Sequence, residues 1–145
     1  MNAASSARVP ATVTPAYWDE ACRYLAKRDR VMKRLIPQFG QARLQSRGDA
    51  FTTLARSIVG QQISVKAAQA VWERFSAPWG GSLAVLQPAQ VLKAQTPDLR
   101  AAGLSARKVE YVQDLARHFN GRQVHEQQWG DMDDEAIIGE LVAIR

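Results

Sequence analysis

A chain of 145 residues, 46% hydrophobic and 23% charged, has the size and balance of one globular domain, and at that length folding hides roughly 68–70% of the unfolded surface, enough for a core without disulfides or metals. The lone Cys22 excludes a disulfide framework and any metal site of clustered cysteines, two histidines argue against a zinc or di-metal centre, and no run reaches the roughly 18–20 apolar residues that a membrane span needs. A net charge of +5 and an isoelectric point of about 9.8 turn attention to polyanions, nucleic acid first among them.

The stretch from Met1 to Val13 is small and polar, carries one arginine and has no apolar segment, so it is not a secretory signal. Residues 1–13 read as a flexible leader on a cytoplasmic protein, and residues 14–145 as one helical domain. Thr14 and Pro15 read as a helix cap and first helical residue, opening a helix through Lys27 with Tyr17, Trp18, Ala21, Cys22 and Leu25 inward. A short helix follows from Asp29 to Ile36 and stops at Pro37 and Gly40. Between Arg23 and Arg47 stand eight basic residues against Asp29 alone. Such a run is either a surface for a polyanion or an ordinary solvated helix face.

Asp49 caps the next helix, where Phe51, Leu54, Ala55 and Ile58 recur at i, i+3, i+4 and i+7 and Gly60 ends the run. Ser64 caps another, with Val65, Ala68, Val71, Trp72 and Phe75 as its apolar stripe. After a break at Pro78 to Gly81 come short helices from Pro88 to Ala94 and from Pro97 to about Ala101, ending at Gly103. Ser105 caps a longer helix carrying Val109, Val112, Leu115, Ala116 and Phe119, closed by Asn120 and Gly121. Asp133 starts the last, with Ile137, Ile138 and Leu141. No segment alternates with period two for long, so the fold class is all-α, a helical bundle.

The informative segment joins two of these helices through Gly60, Gln61, Gln62 and Ile63. A glutamine amide offers donors and an acceptor without charge, so it can bond base edges inside a duplex at a lower desolvation cost than a charged group. The amides at the start of the Ser64 helix suit a phosphate oxygen. Two adjacent glutamines alone also describe a plain polar loop.

The longer string from Phe51 to Ala68, FTTLARSIVGQQISVKAA, resembles the entry to the helix-hairpin-helix superfamily of DNA glycosylases, in particular the alkylbase branch of the 3-methyladenine DNA glycosylase II type. Gly103-Leu104-Ser105-Ala106-Arg107-Lys108, followed by Tyr111 and Leu115-Ala116, is similar to the "GLSxxK…Y…LA" segment of that branch. Met132 to Ile138, leading to Leu141 and Ile144, is similar to the helix before the hairpin. The resemblance runs from about Thr14 to Arg145. It implies an enzyme of base-excision repair that binds duplex DNA containing alkylated bases, flips the damaged nucleotide into a pocket and hydrolyses its N-glycosidic bond, with no cofactor.

In relatives the residue matching Gln62 fills the vacated stack, and the one matching Gln61 faces the lesion strand. The resemblance thus gives Gln61, Gln62, Ser64, Lys66 and Lys108 as the DNA-facing set, Ser64 as a cap and Lys66 as a phosphate contact. Lys108 either approaches DNA or leans along its own helix. The family's hairpin and catalytic aspartate follow the stretch matching Leu141 to Ile144, so no catalytic residue and no metal ligand is expected in this chain, which reads as the first part of the glycosylase fold. Its full-length activity would be that of a DNA-3-methyladenine glycosylase, and uncovered apolar faces would make the piece self-associate or be marginally stable.

Asp131, Asp133, Asp134 and Glu135 read as acids at a helix start, where they complement the dipole, and His118 as a surface or satisfied residue. Two other readings remain. One is an endonuclease III-like glycosylase/lyase; the other is a non-catalytic helix-turn-helix module, for which Val65, Ala67, Ala68, Ala70 and Val71 make a poor recognition face.

Overall fold

The computed structural model describes residues 14–44 and 49–144. The proposed leader, residues 1–13, and Arg47 of the basic run lie outside the described residues. All regular structure among them is helical, as the periodicity predicts, and the chain divides into two compact units, one within residues 10–48 and the other within 49–145.

In the first unit α1 (Trp18–Arg28) packs against α2 (Arg30–Gln38). The helix start expected at Thr14 and Pro15 moves to Trp18: the Trp18 N–H bonds the Pro15 carbonyl at 3.0 Å in a single turn, and helical pairing begins only with Ala21 on Tyr17. Tyr17 and Leu25, expected inward, are exposed, Tyr17 to 63%. A helix with one neighbour can cover only a narrow stripe, and here that stripe is Trp18, Ala21 and Cys22, each half-buried. Asp29 joins the helices, its Oδ1 accepting from the Val31 and Met32 amides at 2.7 and 2.8 Å. Pro37 falls inside α2 instead of ending it, in a last turn that runs to Gln38.

The second unit holds the core. Its elements are α3 (Ala50–Gly60), α4 (Val65–Ser76), a 3-10 turn (Ala77–Trp79), α5 (Pro88–Lys93), α6 (Thr96–Ala101), α7 (Ala106–Asn120) and α8 (Asp134–Val142). The central α7 lies against α3, α5 and α6, while α3 also packs on α4. Phe51, Ala55 and Val59 of α3 meet Trp72 and Phe75 of α4, Val91, Leu99, and the predicted α7 stripe of Val109, Val112, Leu115 and Ala116. Ring pairs tie the layers together: Phe51 to Phe119 at 5.4 Å, Trp72 to Phe75 at 5.5 Å and Phe75 to Trp79 at 5.3 Å between centroids. Each such pair adds about 0.5–1.5 kcal/mol beyond burial.

The two buried polar side chains of this core, Thr52 and Ser76, are hydrogen-bonded. The Thr52 hydroxyl accepts from the Leu86 amide at 2.9 Å, and the Ser76 hydroxyl donates to the Trp72 carbonyl at 2.8 Å. The caps expected from sequence stand: Asp49, Ser64, Ser105 and Asp133 each accept a backbone N–H of the following first turn. Val65, placed by its spacing on the α4 stripe, is 88% exposed. A Cβ added to Gly60 would sit 3.5 Å from that of Ala68, so the end of α3 lies level with Ala68. Val65, almost one turn earlier, therefore projects past the end of its partner helix.

Candidate nucleic-acid interface

The connection from α3 to α4 is four residues long and fully exposed. Asp49 and Ser64, the two caps, set where α3 begins and where α4 restarts, leaving Gln61, Gln62 and Ile63 to reverse the chain. Gln61 is extended, with φ −60° and ψ 137°, and its N–H bonds the Ile58 carbonyl at 3.3 Å. Gln62 has φ +57°, the left-handed region that a side chain with a Cβ enters at a cost of about 1–2 kcal/mol. The side chains of both glutamines stand in solvent, flanked by the exposed apolar Ile63 and Val65.

Of the five residues expected to face DNA, Gln61, Gln62 and Ser64 belong to this turn, Lys108 reaches it and Lys66 stands in the first turn of α4. The Ser64 Oγ accepts from the Ala67 amide at 3.2 Å, its role as a cap. By position, the amides of Val65 and Lys66 have no partner within α4, and the exposed Lys66 stands beside them. Lys108 takes a course that neither alternative described. Its ammonium crosses from the first turn of α7 to the end of α3 and donates to the Val59 carbonyl at 2.7 Å and the Gln61 carbonyl at 2.9 Å. Its own amide is capped by Ser105 Oγ at 3.2 Å. The exposed Ile63 and Val65 are the part of this surface that hydrophobic periodicity misses, because it treats an apolar residue at the right spacing as buried.

The basic run becomes a feature of shape in the first unit. Arg23, Lys27, Arg28, Arg30 and Lys33 line one open cleft of about 710 Å³ at the α1–α2 corner, with Asp29 as its one acid. Arg28 also lies over the Tyr24 ring at 4.7 Å.

The acids near the end of the chain are occupied with structure. Asp133 Oδ1 caps α8 through the Ala136 amide at 2.8 Å, and Asp134 and Glu135 occupy the first turn. Glu140 on α8 accepts from the Trp129 indole at 2.9 Å and from the His125 amide at 3.1 Å, and pairs with His125 Nδ1 at 2.6 Å. These bonds, the indole's first, hold its carboxyl at about 2. His118 Nδ1 lies 2.9 Å from the Asp114 carbonyl, one turn back on α7. Among the described residues no three His, Cys, Asp or Glu side chains come together as a metal site.

The family model for HhH-GPD superfamily base excision DNA repair proteins matches residues 55–145. The chain belongs to this superfamily. The match begins inside α3 and takes in the glutamine turn, α4, Lys108 and α8. Solved structures agree with it. The 3-methyladenine DNA glycosylase of Schizosaccharomyces pombe, in complex with abasic DNA, superposes with a TM-score of 0.73 at 25% identity, over 86% of this chain and 62% of its own. The DNA-3-methyladenine glycosidase of Bacillus halodurans does so with a TM-score of 0.69 at 27% identity, over 92% of this chain and 60% of its own. This HhH-GPD chain thus spans about three-fifths of the length of either. No curated protein matches it.

Proposed function

We propose that the chain carries the DNA-probing part of a glycosylase that excises alkylated bases of the 3-methyladenine type from duplex DNA in the cytoplasm. The observation that carries this reading is the exposed Gln61–Gln62 turn, projecting with a left-handed backbone from a base-excision repair fold. Gln62 enters the stack as the damaged nucleotide leaves it, and Gln61 lies beside it against the lesion strand. Ile63 and Val65 give the inserted tip apolar contact with neighbouring bases, while Lys66 and the leading amides of α4 hold a phosphate. The two solved neighbours favour the alkylbase branch over glycosylase/lyase chemistry.

An N3-methylated adenine is cationic and leaves readily: the bond from C1′ to the base breaks, its electron pair departs with the base, and water adds at C1′ and loses a proton. A carboxylate that steadies the oxocarbenium ion or takes that proton is required. We assign that role to none of the acids near the end of the chain, because Asp133 caps α8, Asp134 and Glu135 begin it, and Glu140 is bonded three times.

The test is fluorescence anisotropy with matched duplexes, one intact and one with an abasic site. The chain is expected to prefer the abasic duplex, and Gln62→Ala to reduce that preference roughly ten-fold, the scale of one hydrogen bond lost inside the duplex. Equal affinity for both duplexes overturns the reading. Release of free 3-methyladenine from methylated duplex by this chain alone would reopen the acids from Asp131 to Glu135 as catalysts.

A further inference from the structure

We propose that Lys108 is the positioning residue of the glutamine turn, acting on DNA through Gln61 and Gln62. The inference rests on the reading of that turn as the inserting element, and on a geometry that is independent of it. Little of the turn is buried: Gln61, Gln62, Ile63 and Ser64 all fall among the exposed residues, Ile63 at 40%. Its backbone nonetheless departs from the relaxed helical path at Gln62, with φ +57°. Something must over-determine such a conformation if it is to persist.

Lys108 supplies what the exposed side chains do not. The two carbonyls it bonds, Val59 and Gln61, stand on either side of Gly60, so one ammonium clamps the last turn of α3 and the first residue beyond it. Both bonds are charge-assisted, and the cation sits at the end of α3 where the helix dipole is negative. The base of the side chain is rigid, because α7 is capped by Ser105 at that point and its next turn places Val109 and Val112 in the core. The clamp therefore ties the inserting residue to the centre of the unit, so that Gln62 meets a base stack as a preset wedge. A lysine is suited to this geometry, since three donors on one nitrogen can serve two converging carbonyls. Those bonds also direct two of its three donors inward, away from any phosphate.

Lys108→Met keeps the length of the side chain and removes the donors; Lys108→Arg keeps a charge and donors. In the DNA-free chain, the 15N order parameter of Gln62 is expected to lie near 0.85 and to fall below about 0.6 in Lys108→Met, with Val112 to Ala116 unchanged. On DNA, Lys108→Met should lose roughly ten-fold of the preference for an abasic over an intact duplex, the fold-change that matches one hydrogen bond to a charged group. Affinity for the intact duplex should fall by much less than affinity for the abasic one, because two of the three Lys108 donors are spent on the turn. Lys108→Arg should recover part of both signals. A rigid Gln62 in Lys108→Met overturns the clamp, and so does an unchanged preference for the abasic duplex with a loosened turn. A uniform loss of affinity for both duplexes identifies a phosphate contact and also overturns it. If the unsubstituted chain does not distinguish the duplexes, the DNA reading of the turn fails, while the order parameter still decides whether Lys108 fixes it.

Discussion

Glu140 shows how one side chain can join two segments of the chain. It accepts from the Trp129 indole and the His125 amide and pairs with the His125 ring, tying the segment after α7 to α8. Because each of these bonds favours the ionised carboxylate, its folded pKa lies at about 2 against an ordinary value of 4.5. The unfolded chain then binds the proton first as pH falls. The stability gained from Glu140 is complete above about pH 4.5 and is lost on the way down to about pH 2. Glu126, close by, runs the other way: burial, with a contribution from Asp49, raises its pKa, so its charge opposes folding as pH rises through that value. An acid titration followed by Trp129 fluorescence should show the tie opening between these limits. In Glu140→Gln that transition should be absent, with lower stability at neutral pH.

At the scale of elements, the turn between α6 and α7 is constrained in both backbone angle and space. Gly103 has φ +107°, and a Cβ there would lie 3.1 Å from Arg74 Nη2 and 3.3 Å from Val71 Cγ2. Arg74 is held in place by its Nε bond to the Ala102 carbonyl at 3.0 Å. Gly103→Ala is therefore expected to destabilise the chain by about 1–3 kcal/mol, read as a lowered urea midpoint with an unchanged slope. This turn is legible in the sequence, as are the capping residues of α3, α4, α7 and α8. Glycine, serine and aspartate act there through local backbone chemistry, which needs no knowledge of neighbours. The misplaced apolar residues have the opposite cause: spacing alone places Tyr17, Leu25 and Val65, yet whether an apolar face is covered depends on where the partner helix ends. The glutamine turn is recognisable by resemblance, but the destination of the Lys108 side chain leaves no local signal, since its acceptors lie 49 and 47 residues away.

For the molecule as a whole, charge is sorted along the chain. Cations gather at the α1–α2 corner, and residues 123–144 hold six acids and no lysine or arginine. Such a distribution turns a polyanion toward one part of the protein before any specific contact forms. If the cleft takes DNA phosphates, the double substitution Arg30→Gln/Lys33→Gln should reduce the slope of log K against log salt by about 1.8, at roughly 0.9 for each phosphate no longer neutralised. Binding to intact and abasic duplexes should weaken alike, and an unchanged slope would show a cleft with no part in DNA binding. The second unit has a further property, which concerns order in time. The α3–α4 hairpin is local and can form early, but its clamp arrives on a helix nearly fifty residues further along. Until α7 docks, the two glutamines have a turn without an anchor. On the proposed reading, Gln62 gains its preset position only once α7 has docked, so a folding intermediate without that helix is expected to show no preference for an abasic duplex.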